Sequence, residues 1–171
     1  MVKKPLNSSN LKSICKNIQL VISDVDGVLT DGGMYYSKTG EIMKKFHTRD
    51  GMGVELLSKN DIPTVLMTKE KSQIVTKRAT KIKIKETFLG VQKKEKLLEK
   101  LCVKYSITPK NIAYIGDDVN DLEIMKLVGF SACPNDGVAE VKKISLYICK
   151  NNGGKGAFRE FADLIMQNKS Y

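Results

Sequence analysis

The sequence contains no tryptophan, one histidine and only three arginines, and aromatic residues make up 6% of its 171 positions. Proteins that bind nucleic acids stack bases on aromatic rings and contact phosphates with clustered basic residues. The net charge of +10 alone would suggest such a partner, but the surplus consists almost entirely of lysine. We therefore expect solvated lysine faces, which also attract an anionic small molecule, and no nucleic-acid partner.

The sequence also lacks any uninterrupted apolar run long enough to cross a bilayer. The N-terminal stretch carries lysines without the apolar core of a secretory signal. The four cysteines form no CxxC pair and no metal-type spacing. These absences predict a cytoplasmic protein with reduced, structural thiols and no membrane partner.

Length and composition indicate one globular domain. A chain with 42% hydrophobic and 28% charged residues is long enough for a single hydrophobic core and too short for two. We expect this domain to span residues 15–171, after a flexible N-terminal arm at 1–14.

Short apolar runs rich in branched residues predict buried strands, and helical patterns separate most of them. The predicted strands are 18–23, 63–67, 112–115, 129–133 and 145–149, and the predicted helices are 50–60, 71–82, 92–105, 119–128, 136–143 and 155–167. This alternation indicates an α/β fold, a three-layer Rossmann-like parallel sheet. The segment 33–47 departs from it and predicts a small β-hairpin flap around a polar turn.

Polar residues cluster directly after the predicted strands. Asp24 and Asp26 follow the first, Thr68 follows the second, and Asp117 follows the third, while Lys94 begins the helix between the latter two. The carboxyl ends of parallel strands meet at one edge of a sheet. Carboxylates gathered there repel one another unless they hold a cation. We therefore predict a Mg²⁺ site formed by Asp24, Asp26 and Asp117, because all the available ligands are oxygens.

The spacing of Asp24 and Asp26 suggests a division of chemical labour. Asp24 is the predicted nucleophile, and Asp26 is the predicted general acid and base. Thr68 and Lys94 would supply a hydroxyl donor and a positive charge to phosphate oxygens. Asp118 and Asp121 are expected beside these groups, where each could equally cap a helix.

These motifs resemble those of the haloacid dehalogenase-like phosphatases: DVDGVLT at 24–30, then Thr68, Lys94 and GDDVND at 116–121. The stretches TDGGMYY (30–36), HTRDG (47–51) and GGKGAFRE (153–160) further resemble the small branch that dephosphorylates keto-deoxy sugar acids. Because the intervals 30–68 and 68–94 are too short for a cap domain, we expect none. The resemblance also implies a homotetramer whose subunits and flaps close the site.

The resemblance implies a group of substrate-binding residues: His47, Thr48, Arg49, Asp50, Gly51, Glu70, Lys71, Arg78 and Lys81. Eight-carbon octulosonate 8-phosphatases usually read T-G-R after the second strand, whereas nine-carbon keto-deoxynononate 9-phosphatases read T-G-E-K. This chain reads Thr68-Lys69-Glu70-Lys71, which favours the nine-carbon, sialic-type substrate. The eight-carbon phosphate is the alternative. An exposed, salt-bridged helix surface would explain the charged residues equally well, and the glycines of 153–156 could simply break the chain before the last helix.

Two other kinds of protein fit parts of the pattern. A phosphoacceptor receiver module also carries aspartates, a threonine and a lysine on a parallel sheet, although its acidic pair and acceptor occur in a different order. A non-catalytic domain like that fused to acylneuraminate cytidylyltransferases resembles the middle of the chain. Turnover of phosphoesters would separate the three.

Overall fold

The computed structural model describes residues 8–169, with a parallel sheet at the centre. In chain order, the helices and strands are α1 (Ser8–Lys16), β1 (Leu20–Ser23), β2 (Tyr35–Ser37), β3 (Gly40–Met43), α2 (Thr48–Lys59), β4 (Thr64–Met67), α3 (Gln73–Lys81), β5 (Glu86–Phe88), α4 (Leu98–Tyr105), β6 (Ile112–Ile115), α5 (Leu122–Leu127), β7 (Phe130–Cys133), α6 (Ala139–Ile144), β8 (Tyr147–Ile148) and α7 (Ala157–Lys169). Short 3₁₀ helices precede α4, β6 and α5, at Lys94–Leu97, Pro109–Asn111 and Val119–Asp121.

The sheet has six parallel strands in the order β5-β4-β1-β6-β7-β8. β1 lies between β4 and β6, with Val21 opposite both Thr64 and Ala113. The chain segments that follow these three strands therefore leave the sheet side by side. This arrangement brings the predicted catalytic residues to one edge.

The side chains of β1 alternate between two hydrophobic cores. Val21 belongs to a core that includes Leu57 of α2 and Phe161 of α7. Leu20 and Ile22 belong to the opposite core, which includes residues of α4, α5 and α6. Both faces of the sheet are covered, as expected for parallel strands, and the predicted three-layer α/β fold is confirmed.

The hairpin consists of β2 and β3, which pair antiparallel. It stands apart from the main sheet, and only this hairpin and α2 occupy the interval before β4. The predicted small flap without a cap domain is therefore confirmed. Several of its apolar side chains are exposed to solvent: Met34, Tyr35, Tyr36, Ile42 and Met43.

Two elements differ from the prediction. Residues 8–14 of the predicted N-terminal arm belong instead to α1, which packs on α7 and buries Cys15; residues 1–7 lie outside the described part. β5 was not predicted, because its three half-buried residues give too short a pattern at the edge of the sheet. Between residues 8 and 169, no helix is both long and apolar enough to cross a membrane.

Candidate active site

Asp24 follows β1 and is only 4% exposed. Its Oδ1 accepts a hydrogen bond from the backbone N–H of Val25 at 2.7 Å, and its Oδ2 lies 2.8 Å from Nζ of Lys94. Burial and the nearby charge of Asp121 raise the pKa of Asp24 to about 7, against the opposing effect of Lys94. The predicted nucleophile is thus held by two donors and needs positive charge to stay ionised.

Lys94 is a buried cation between two carboxylates. Its Nζ lies 2.6 Å from Oδ1 of Asp121, in addition to its contact with Asp24. Burial lowers the pKa of Lys94, but the two carboxylates outweigh burial and raise it overall. Lys94 is therefore a fixed positive charge beside the nucleophile.

Asp121 is fully buried and has partners at both carboxylate oxygens. Oδ1 accepts from Lys94 and from the Tyr114 hydroxyl at 2.6 Å, and Oδ2 accepts from the backbone N–H of Asp117 at 3.0 Å. The Asp118 side chain accepts from Val119 N at 2.7 Å and caps the 3₁₀ helix. Asp121 thus anchors Lys94 and the turn, and the capping interpretation fits Asp118.

Asp117 completes a cluster suited to a cation. Ligand atoms of Asp24, Asp117 and Asp121 all lie within 4.8 Å of one another. Oδ1 of Asp117 is buried and has no hydrogen-bond partner among residues 8–169. Burial and the charges of Asp24, Asp121 and Asp118 raise the pKa of Asp117 to about 8. An all-oxygen cluster with one buried acceptor left unpaired fits Mg²⁺.

The carboxylate of Asp26, predicted as a third metal ligand, is not part of that cluster. Its Oδ1 lies 2.6 Å from Nζ of Lys44, and its Oδ2 lies 3.4 Å from Oγ1 of Thr68. Asp26 therefore stays a prediction as a third metal ligand, because its side chain is already in contact with Lys44 and Thr68. Its position remains suited to proton transfer.

A cavity of about 340 Å³ opens onto these groups. Its lining includes Asp24, Asp26, Thr68, Glu70 and Asp117. A larger groove of about 690 Å³ shares no lining residue with this cavity. We assign the chemistry to the smaller cavity, because the buried carboxylates and the unpaired oxygen of Asp117 lie there.

Comparisons with known proteins agree with this geometry. Residues 66–160 match the family described as haloacid dehalogenase-like hydrolase. The chain belongs to this family. It is 41% identical to the 3-deoxy-D-manno-octulosonate 8-phosphate phosphatase of Haemophilus influenzae over 152 residues, covering 89% of this chain and 84% of that protein. The predicted family and enzyme class, a phosphoric monoester hydrolase, are confirmed.

Two further relatives of this haloacid dehalogenase-like hydrolase carry the same name. The Escherichia coli K12 protein is 35% identical over 159 residues, covering 93% of this chain and 85% of that protein. The Moraxella catarrhalis crystal structure, described as a complex with a magnesium ion, a phosphate ion and a KDO molecule, is 32% identical with a TM-score of 0.91. That match covers 95% of this chain and 94% of the other.

The structure separates the predicted substrate-binding residues of this hydrolase into different places. Glu70 lines the catalytic cavity. The predicted helix at 71–82 begins only at Gln73, so Glu70 and Lys71 lie in the bend before it, and Lys71 packs beside Gly90. Four others line a separate groove of about 450 Å³: Thr48, Gly51, Arg78 and Lys81.

The three remaining predicted substrate-binding residues, Asp50, His47 and Arg49, lie outside the catalytic cavity. Asp50 is 2% exposed, and its Oδ1 accepts from the backbone N–H of Arg159 at 2.9 Å, at the start of α7. His47 caps α2 by accepting from Arg49 N at 3.3 Å. Arg49 lines the 690 Å³ groove. Within one chain, therefore, Glu70 alone of the nine lines the catalytic cavity together with Asp24, and substrate contact by the others stays a prediction.

The glycine-rich segment 153–156 packs against the catalytic loop. A Cβ on Gly153 would lie 1.8 Å from the carbonyl oxygen of Gly27. Gly154 has φ of +61°, and its N–H donates to Val28 O at 2.9 Å. Only residues without a side chain allow this approach. The segment therefore supports the loop that carries Asp24 and Asp26, in addition to preceding α7.

Three residues of the site were not predicted from the sequence: Glu41, Lys44 and Tyr114. Tyr114 sits within a buried strand, where its hydroxyl needs a partner, and this need is the signal that could have identified it. Lys44 is one lysine among many, and nothing in the sequence marks it as buried. Its partner Glu41 lies three positions earlier, which is also a common spacing of surface ion pairs.

Proposed function

We propose that this hydrolase is a Mg²⁺-dependent phosphatase of a 3-deoxy-2-keto sugar acid phosphate, with 3-deoxy-D-manno-octulosonate 8-phosphate as its substrate. The observation that carries the chemistry is the close approach of the Asp24 and Asp117 carboxylates, within 4.8 Å, beside an open cavity. Oδ1 of Asp117 is buried there without a hydrogen-bond partner among residues 8–169. The named relatives support the substrate.

The first step transfers the phosphoryl group to the enzyme. A carboxylate oxygen of Asp24 attacks phosphorus, the bond to the sugar oxygen breaks, and an aspartyl-phosphate forms. Asp26 gives its proton to the departing oxygen. Lys94 and the Thr68 hydroxyl lie where they can stabilise the phosphoryl oxygens. Mg²⁺, held by Asp24 and Asp117, would neutralise the charges of nucleophile and phosphate.

The second step regenerates the enzyme. Asp26, now ionised, takes a proton from a water molecule that attacks the phosphorus of the aspartyl-phosphate. Phosphate leaves, and Asp24 is restored as a carboxylate. One residue can serve both steps, because the sugar oxygen leaves phosphorus on the side opposite Asp24. The water molecule of the second step attacks from that same side.

The proposed eight-carbon substrate differs from the nine-carbon substrate that the sequence favoured. Glu70 and Lys71 match the nine-carbon pattern, but that preference is not confirmed, and the relatives' names support the eight-carbon alternative. Because Lys71 lies beside Gly90 rather than in the cavity, the T-K-E-K pattern is a weaker indicator than it appeared. Glu70 is the residue of that pattern that we propose contacts the sugar acid.

We also retain the predicted homotetramer as a proposal, with the hairpin at the subunit contact. The exposed apolar side chains of β2 and β3 support it, because such residues on a two-stranded ribbon favour association. The cytoplasmic location likewise stays a prediction.

Both rival functions have less support. A non-catalytic domain need not keep the full set of catalytic groups, whereas Asp24, Lys94 and Asp117 are held together here by buried contacts. The receiver module lacks support from the family match.

Metal removal tests the proposal. Protein treated with EDTA should release no measurable phosphate from 3-deoxy-D-manno-octulosonate 8-phosphate, and added Mg²⁺ should restore the activity, because Asp24 and Asp117 otherwise repel the phosphate. Ca²⁺ is the matched control, since its larger size suits this small cluster less well. Full activity in EDTA would exclude the metal-dependent mechanism.

A further inference from the structure

Lys44, directly after β3, is a second buried lysine beside the catalytic carboxylates. Its side chain has no solvent-accessible surface, and its Nζ lies 2.6 Å from Oδ1 of Asp26 and 2.7 Å from Oε1 of Glu41. Burial lowers the pKa of Lys44, but its two carboxylate partners outweigh burial and raise it overall. Lys44 is thus a permanent cation in contact with the predicted acid and base.

The contacts of Lys44 extend away from the active site. The other carboxylate oxygen of Glu41 accepts a hydrogen bond from the hydroxyl of Ser72. Ser72 is buried at the N-terminus of α3. One chain of polar contacts therefore joins the catalytic loop, the base of the hairpin and the start of α3.

This arrangement leaves the two oxygens of Asp26 in different surroundings. Oδ1 accepts from Lys44, whereas Oδ2 faces the hydroxyl of Thr68 at 3.4 Å. Because Oδ1 is occupied by the ammonium group of Lys44, Oδ2 is the oxygen left to exchange a proton with the substrate. A general acid must also be held close to its productive geometry, because small displacements cost large factors in rate.

We propose that Lys44 is a positioning residue: it orients the Asp26 carboxyl group so that Oδ2 delivers the proton to the leaving oxygen, and Glu41 holds Lys44 in place. In this step the P–O bond to the sugar breaks, its electron pair goes to the leaving oxygen, and the proton on Oδ2 moves to that oxygen. The inference rests on the proposed function, because it needs Asp26 as the acid.

The test compares leaving groups. A sugar alkoxide needs a proton to leave, whereas 2,4-dinitrophenolate leaves without one. Lys44→Met should therefore lower kcat/KM for 3-deoxy-D-manno-octulosonate 8-phosphate by about 10²-fold or more, the order contributed by a general acid. The pre-steady-state burst of dinitrophenolate from 2,4-dinitrophenyl phosphate should keep its rate within about threefold, because acid catalysis contributes little to that step.

Two further variants test whether the loss in Lys44→Met is specific to proton transfer by Asp26. Lys45→Met removes the neighbouring lysine, whose side chain is 61% exposed and pairs with Asp31 at 3.3 Å, and it should behave as wild type on both substrates. Glu41→Gln removes the negative charge that holds Lys44 and keeps the size and shape of the side chain at position 41. It should show the same selective loss to a smaller degree, and it serves as the test should Lys44→Met fail to fold.

Equal losses on both substrates, in Lys44→Met or in Glu41→Gln, would make the contacts a structural anchor of the hairpin and overturn the proposal. Unchanged rates on both substrates would overturn it as well. Failure of the proposed function would appear separately, because the wild-type protein would then give no turnover of the sugar phosphate.

Discussion

Asp24→Asn should release phosphate from a sugar acid phosphate at least about 10⁴-fold more slowly than wild type, the order of loss when a catalytic nucleophile is removed. The amide is a far poorer nucleophile than the carboxylate, and the change also removes a charge from the cation cluster. Steady-state phosphate release with saturating Mg²⁺ measures the effect.

A matched control for Asp24→Asn is Asp61→Asn. Asp61 is exposed, and its φ of +58° suits asparagine. This variant should keep wild-type activity. Acid quenching during turnover should also trap phosphate on the wild-type protein but not on Asp24→Asn. Activity near wild type in Asp24→Asn would exclude Asp24 as the nucleophile.

Lys94→Met is expected to have the largest effect on stability. Lys94 is 1% exposed and contacts Asp24 and Asp121, so its removal leaves two buried carboxylates without their shared cation. Breaking a buried ion pair in this way costs about 3–5 kcal/mol of unfolding free energy. Urea unfolding without Mg²⁺ measures this cost directly.

The same variant should also lose catalytic rate, by about 10²–10³-fold, because a fixed charge near the phosphoryl oxygens is lost. Lys96→Met, an exposed position in the same 3₁₀ helix, is the matched control and should change neither property. The double variant Lys94→Met/Asp121→Asn should be more stable than Lys94→Met alone, because one of the two unpaired charges is gone. Wild-type stability in Lys94→Met would contradict the burial of this ion pair.

The predicted catalytic residues were identifiable because they depend on topology. Asp24, Thr68 and Asp117 each follow a buried apolar run, and parallel strands bring such positions to one edge. Only the strand order, with β1 between β4 and β6, had to be supplied by the structure. The sequence pattern alone therefore placed the predicted nucleophile Asp24 and the predicted metal ligand Asp117 at this edge, where the structure brings their carboxylates together.

The substrate-binding prediction was less specific because it depended on side-chain direction. Asp50 and Arg49 are adjacent in α2, yet the carboxylate of Asp50 is buried against the backbone of Arg159, whereas Arg49 lines a groove that shares no residue with the catalytic cavity. The orientation of Asp26 was equally unpredictable from the sequence, since its carboxylate pairs with Lys44, 18 positions later in the chain. Contacts between residues far apart in sequence determine these orientations, and no local pattern reports them.

The central claim is tested most directly by kcat/KM in Mg²⁺ for two pure substrates, 3-deoxy-D-manno-octulosonate 8-phosphate and the nine-carbon keto-deoxynononate 9-phosphate. We predict that the eight-carbon substrate is preferred by at least about tenfold, the discrimination that one well-placed polar contact provides. Preference for the nine-carbon substrate would contradict the assigned substrate, and turnover of neither would contradict the assignment as a sugar acid phosphatase.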